Sequence, residues 1–183
     1  MSNPEPTGRS TGRLRQTVAD MVRSLAVVLG VVAIVLLVTW RPQPDAVKTV
    51  DIAPFVQVVQ AEATFVPLQV QPILDGYQPT SVRWEPTAES GGEKVWFLGY
   101  VTPEGEYLQV SQSVANEPLF ISEQTAEGIP GEAMQINEES WRRYETPDRR
   151  SLVQENDSGV TIVSGTMGWD ALATATGILV PVS

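Results

Sequence analysis

The sequence predicts an α+β protein: an N-terminal transmembrane helix, then an extracytoplasmic antiparallel β-sheet packed by helices. Three observations predict it. Residues 24–40 carry no charge. Turn signatures at Thr102-Pro-Glu-Gly105 and Asn156-Asp-Ser-Gly159 separate β-rich runs, as in two hairpins. Apolar residues recur at helical spacing before, between and after those strands, which is the order of a sheet covered by helices.

The charge-free run, Ser24 to Trp40, is 17 residues long between Arg23 and Arg41. As a helix it covers about 25 Å, slightly less than a hydrocarbon core of about 30 Å. Met21 and Val22 extend its apolar surface, and Arg23 can snorkel, so the predicted span is 21–41. A buried globular helix is the rival reading, but such helices are seldom apolar on every side. Arg9, Arg13, Arg15 and Arg23 precede the charge-free run, and only Arg41 and Lys48 follow it closely. That bias places residues 1–20 in the cytoplasm as a disordered tail and the rest outside. No small-residue cleavage triplet follows Trp40 until Ala61-Glu-Ala63, so an uncleaved signal-anchor is expected.

Residues 42–50, with two prolines, read as a stiff stalk. The outer domain is then 51–183. Asp51 caps a helix over 53–61, with Phe55, Val58 and Val59 on one face; its β-branched content leaves a strand as the alternative. Phe65–Val70 reads as a strand made irregular by Pro67, and Tyr77–Glu85 as another after the turn Asp75-Gly76. Lys94–Val101 and Glu106–Ser113 flank Thr102-Pro-Glu-Gly105, a type I turn with a glycine bulge. In the first of these strands both faces are apolar, so the strand is expected to be covered on both sides. Asn116 caps a short helix to Gln124. Ala133–Ile136, Trp141–Tyr144, Arg150–Glu155 and Val160–Thr166 read as strands. Trp169, Leu172, Ala175, Thr176 and Leu179 share the face of a closing helix.

These residues also carry a resemblance. The runs PTSVRW, WFLGYVTPEGEYLQVSQS, SLV and VTIVSGT, behind an anchor followed by Arg-Pro, resemble the actinobacterial, membrane-anchored family called domain of unknown function 4245. The likeness covers nearly everything from Met21 onward and is most specific at 99–103. It implies the architecture above and brings no functional residues with it. A weaker likeness, to sandwich folds of the Mog1/PsbP type, rests on element order alone.

Composition narrows the chemistry. The chain has no Cys and no His, which removes disulfides, thiol chemistry and the commonest general base and metal ligand. Residues 41–183 hold 8 basic and 20 acidic side chains, so nucleic acid is a poor partner for the domain. Ser151, Ser158 and Ser164 lack a nucleophile-elbow context, and acidic pairs such as Glu138/Glu139 or Glu104/Glu106 are expected anywhere on so acidic a surface. Asn156-Asp-Ser-Gly159 has too few oxygen ligands for calcium. No catalytic constellation, metal site or cofactor is expected.

One anomaly remains. Arg142, Arg143, Arg149 and Arg150, half of the basic residues after residue 40, fall within nine positions beside Trp141 and Tyr144. Ion pairing with Glu138, Glu139, Glu145 and Asp148 accounts for them as ordinary surface. The functional reading makes Trp141 and the four arginines one positive surface for an acidic or anionic partner. On this evidence the chain is a membrane-anchored envelope protein, bound to the bilayer through its N-terminal helix. Its outer domain binds an envelope protein or wall component. The alternative is a carboxylate-dependent hydrolase acting on wall glycan or lipid.

Overall fold

The computed structural model describes residues 21–33, 35, 48–71, 76–115 and 118–182. The chain divides into two units, Met1–Asp45 and Ala46–Ser183. In the first, residues 21–33 and 35 are helical with exposed side chains. The expected tail at 1–20, the remainder of the expected span and stalk residues 42–47 lie outside the described residues. Among the described residues no helix is long and apolar enough to cross a membrane.

The second unit is an antiparallel sheet between layers of helix, as its patterns predict. Among the described residues its strands are β1 (Leu68–Val70), β2 (Gln78–Pro86), β3 (Lys94–Val101), β4 (Tyr107–Ser113), β5 (Ile129–Ile136), β6 (Glu139–Glu145), β7 (Arg150–Asn156), β8 (Gly159–Gly165) and β9 (Leu179–Pro181). The helices are α1 (Ala53–Glu62), α2 (Pro118–Gln124) and α3 (Trp169–Gly177). Seven strands form one sheet in the order β2-β3-β4-β8-β7-β6-β5, and β1 pairs with β9 in a separate ribbon.

The two expected hairpins form through their local turn chemistry. Gly105 has φ +80°, and its N–H donates to Thr102 O at 2.9 Å, closing a type I turn with its bulge glycine. At the other, Ser158 N–H donates to Asn156 Oδ1 at 2.9 Å. Gly159 there has φ +131°, and a Cβ at that position would stand 2.2 Å from Ser113 O, so only glycine fits. Between β5 and β6 a two-residue turn carries Asn137 and Glu138 at φ +51° and +69°, the left-handed pair of a type I′ turn.

The sheet is packed on both faces. Trp96, Leu98 and Tyr100 point to one side, with Leu108, Leu152 and Val163, against Val56 and Val59 of α1 and Leu172 and Ala175 of α3. Val95 and Phe97 point to the other, with Val153 and Ile162, against Phe120 and Ile121 of α2. The expected double covering of β3 is therefore what its sequence requires.

Four expectations are corrected. In α1 the buried side chains are Val56 and Val59, and Phe55 and Val58 are exposed. Ile52, Val56, Val59 and Ala63 make the packed stripe at i, i+4, i+7, i+11, because the partly buried Ile52 and Ala63 extend that stripe and not the other. Asp51 precedes the N-cap; its Oδ1 accepts from Ala53 N–H at 3.0 Å, and the cap itself is Ile52. Leu179 belongs to β9, not to α3, since β1 offers it a ladder partner in Val70. Val50, assigned to the stalk, donates to Pro79 O at 2.8 Å and packs against the core, so the domain begins before residue 51. Asp75 and Asn116, expected in a turn and a cap, lie outside the described residues.

Candidate functional site

The arginines sit on a hairpin whose register decides which of them can meet. Between β6 and β7 the pairs are Arg142–Val153, Arg143–Leu152, Tyr144–Ser151 and Glu145–Arg150. Side chains alternate along a strand, so Arg143, Glu145, Arg150 and the core residue Leu152 share one face. Arg142 and Tyr144 face the other side, with Val153. Arg149 closes the turn, its N–H donating to Thr146 Oγ1 at 3.0 Å and its carbonyl accepting from Thr146 N–H at 2.9 Å.

On the shared face the partner is Trp169, the first residue of α3. The guanidinium carbons of Arg143 and Arg150 lie 5.3 and 6.0 Å from its ring centre. Such contacts contribute about 0.5–1 kcal/mol at exposed sites. Arg150 fixes the approach to the helix: Nη1 donates to Met167 O at 3.2 Å. Its Nε lies 3.2 Å from Glu145 Oε1, a charge contact whose N–H direction misses hydrogen-bond geometry. Arg143 Nε donates to Glu132 O on β5 at 3.1 Å and makes no further hydrogen bond to the described residues.

Beside this group opens a cleft of about 600 Å³, lined by Trp169, Ile129, Pro130 and Pro147, with Arg143, Glu132 and Glu145 at its polar margin. Its apolar edge includes Ile129, which is 77% exposed. The cleft follows β5, one of the two edge strands of the sheet, whose register is broken between Pro130 and Ala133. An apolar wall beside a guanidinium with unused donors suits a ligand that joins an apolar group to a carboxylate or carbonyl.

The family model described as a protein of unknown function (DUF4245) matches residues 13–179. The chain belongs to the DUF4245 family. No curated protein and no solved structure matches it. The DUF4245 match takes in both arginine-bearing strands, Trp169 and the hairpin at 99–103 on which the resemblance was most specific.

The five residues singled out in the DUF4245 sequence are thus only partly brought together. Arg143 and Arg150 converge, Arg149 is at the adjacent turn, and Arg142 is on the opposite face. Trp141 is 3% exposed and packed in the core, so it is not part of an arginine surface. The indole that meets the arginines is Trp169. Reading the sequence missed it because it lies about twenty residues away and fits a helix face equally well. Nor is the cleft a region of positive field, since Glu132 and Glu145 stand beside Arg143 and Arg150. Ser151 and Ser164, weighed as nucleophiles, are cross-strand partners whose hydroxyls lie 2.8 Å apart, both buried. Ser164 donates on to Gln124 O at 3.2 Å, tying the sheet to α2.

Proposed function

We propose that this DUF4245 protein is a membrane-anchored binding module of the cell envelope. Its domain holds a segment of another envelope protein in the cleft that Arg143 and Trp169 line together. The observation that carries this reading is the pair of guanidinium groups gathered on one indole at the mouth of an apolar cleft. Arg150 is committed to Met167 O and Glu145, whereas Arg143 keeps donors to spare. Its partner would carry a carboxylate next to an apolar side chain, and the neighbouring β5 edge would guide an extended segment along the cleft. Helices on both faces of the sheet support the likeness to Mog1/PsbP-type folds.

The charge-free run at 24–40 and the arginines before it support anchoring with the domain outside. A reporter enzyme fused after Ser183 should therefore be active only when it requires the extracytoplasmic side. Activity of a cytoplasm-dependent reporter at that position would reverse the orientation. For the cleft, a photo-crosslinking amino acid at Ile129 in the full chain should yield one discrete adduct in the cells that make it. The same group at Leu119, exposed on α2, should not. Equal labelling from both positions would remove the cleft from the reading.

The hydrolase alternative has one observation in its favour: Glu132 and Glu145 both line the cleft. Against it, Glu145 is held by Arg150 rather than left to act as an acid or a nucleophile.

A further inference from the structure

Trp141, two residues along β6 from Arg143 and on the same face, lines a second cavity. It is open to solvent, holds about 330 Å³, and lies at the opposite end of the strands from the arginine cleft. Its floor is a row across three strands. Gln112 of β4 pairs with Thr161 of β8, and Thr161 pairs with Gln154 of β7. The preceding row on that face is Val110, Val163 and Leu152, all buried. A face built only for a dry core would continue the apolar row, because burying amides and hydroxyls is costly unless each finds a partner.

Part of this row is committed to the fold. Gln112 Oε1 accepts from Leu68 N–H at 2.7 Å, and Nε2 donates to Val66 O at 3.3 Å and Thr161 Oγ1 at 3.2 Å. The rest is not. The Gln154 amide and the Glu139 carboxylate make no hydrogen bond to the described residues. The Trp141 indole N–H is buried with no acceptor among them. Phe65 and Leu179 add apolar surface, and among the described residues no Lys or Arg lines the cavity.

We infer that this cavity is a binding site for a neutral sugar unit of a glycan. Amide and hydroxyl groups match the paired donor and acceptor character of sugar hydroxyls, and one carboxylate accepts from two of them. The apolar wall complements the C–H face of a pyranose ring, much as aromatic side chains present an apolar body with a polar tip. With no cationic side chain in the wall, phosphates and carboxylates have no counter-charge and are disfavoured. The volume is at the small end of ligand pockets and holds about one or two rings.

The test uses the full chain in a phosphocholine detergent, which carries no sugar, with ¹⁵N-labelled indoles. The resonance of the Trp141 Nε1–H is assigned by its loss in Trp141→Phe. Titration with glucose, N-acetylglucosamine and its β-1,4-linked dimer should shift that resonance saturably for at least one of them. Gln154→Ala and Glu139→Ala should each weaken binding about tenfold, the loss of one good hydrogen bond. Leu119→Ala, exposed on α2 across the sheet, should leave it unchanged. Glu139 is exposed, so its variant remains informative if the Gln154 variant misfolds. Failure of all three sugars to shift the resonance overturns the inference, as does a shift caused by spermidine alone. A shift that survives both substitutions places the sugar elsewhere and overturns it too.

Discussion

Glu62, the last residue of α1, accepts from Lys94 Nζ at 2.6 Å and from Trp84 Nε1 at 2.7 Å. The lysine hydrogen bond first, then the indole, hold its carboxyl below the ordinary value of 4.5. A depressed carboxyl stabilises the fold at pH above its unfolded value, and that contribution is lost as pH falls through the folded one. The group is exposed on the surface, so the effect on stability is small and screened by salt. Titration followed by NMR should give Glu62 a midpoint below 4.5, and Lys94→Ala should move it back up. A wild-type midpoint at or above 4.5 would show that the ion pair does not persist in solution. Single residues also mark where reading the sequence stops. Trp141 adjoins the arginines in the chain and was grouped with them, yet its side chain is buried. Trp169 was read as helix face and is the ring they meet. Neighbourhood along the chain says which side chains share a strand, but not which helix covers it.

Elements defined by local chemistry were legible and those defined by distant partners were not. The turns at 102–105 and 156–159 announce themselves because glycine alone tolerates their backbone. The turn at Asn137-Glu138 stays at smaller positive φ, +51° and +69°, which side chains can adopt, and without a glycine it gave no signal. β9 exists because β1, more than a hundred residues earlier, pairs with it, so Leu179 kept its helical periodicity on paper and lost it in space. The face of α1 was misassigned to Phe55 and Val58 because Phe55, Val56, Val58 and Val59 supply two apolar stripes, and only the sheet chooses between them. β3 was legible in full: apolar on both faces, it is covered on both. Trp96 is the largest side chain fully enclosed there, and its Nε1 donates to Leu68 O at 2.9 Å, linking β3 to β1. Trp96→Ala should destabilise the protein by about 3–5 kcal/mol in equilibrium denaturation. A loss below about 1 kcal/mol would mean that the ring is not enclosed and the β1 ribbon is not seated on the sheet.

At the scale of the molecule, an acidic domain concentrates four of its five arginines on one hairpin, and the fold sorts them by face. Composition alone suggested one positive surface. The register divides it: Arg143 and Arg150 turn toward Trp169 with Glu132 and Glu145 beside them, and Arg142 turns toward the side covered by α2. Recognition at the cleft would therefore depend on position, not on net charge. Arg142→Glu and Arg143→Glu change the domain's charge equally, one residue apart, on opposite faces. Crosslinking from Ile129 in the full chain compares them directly, with thermal unfolding as the control for folding. The cleft reading predicts that Arg143→Glu abolishes the adduct while Arg142→Glu leaves it intact, with both variants unfolding near the wild-type temperature. Equal loss in the two variants, or an undiminished adduct in Arg143→Glu, would contradict it.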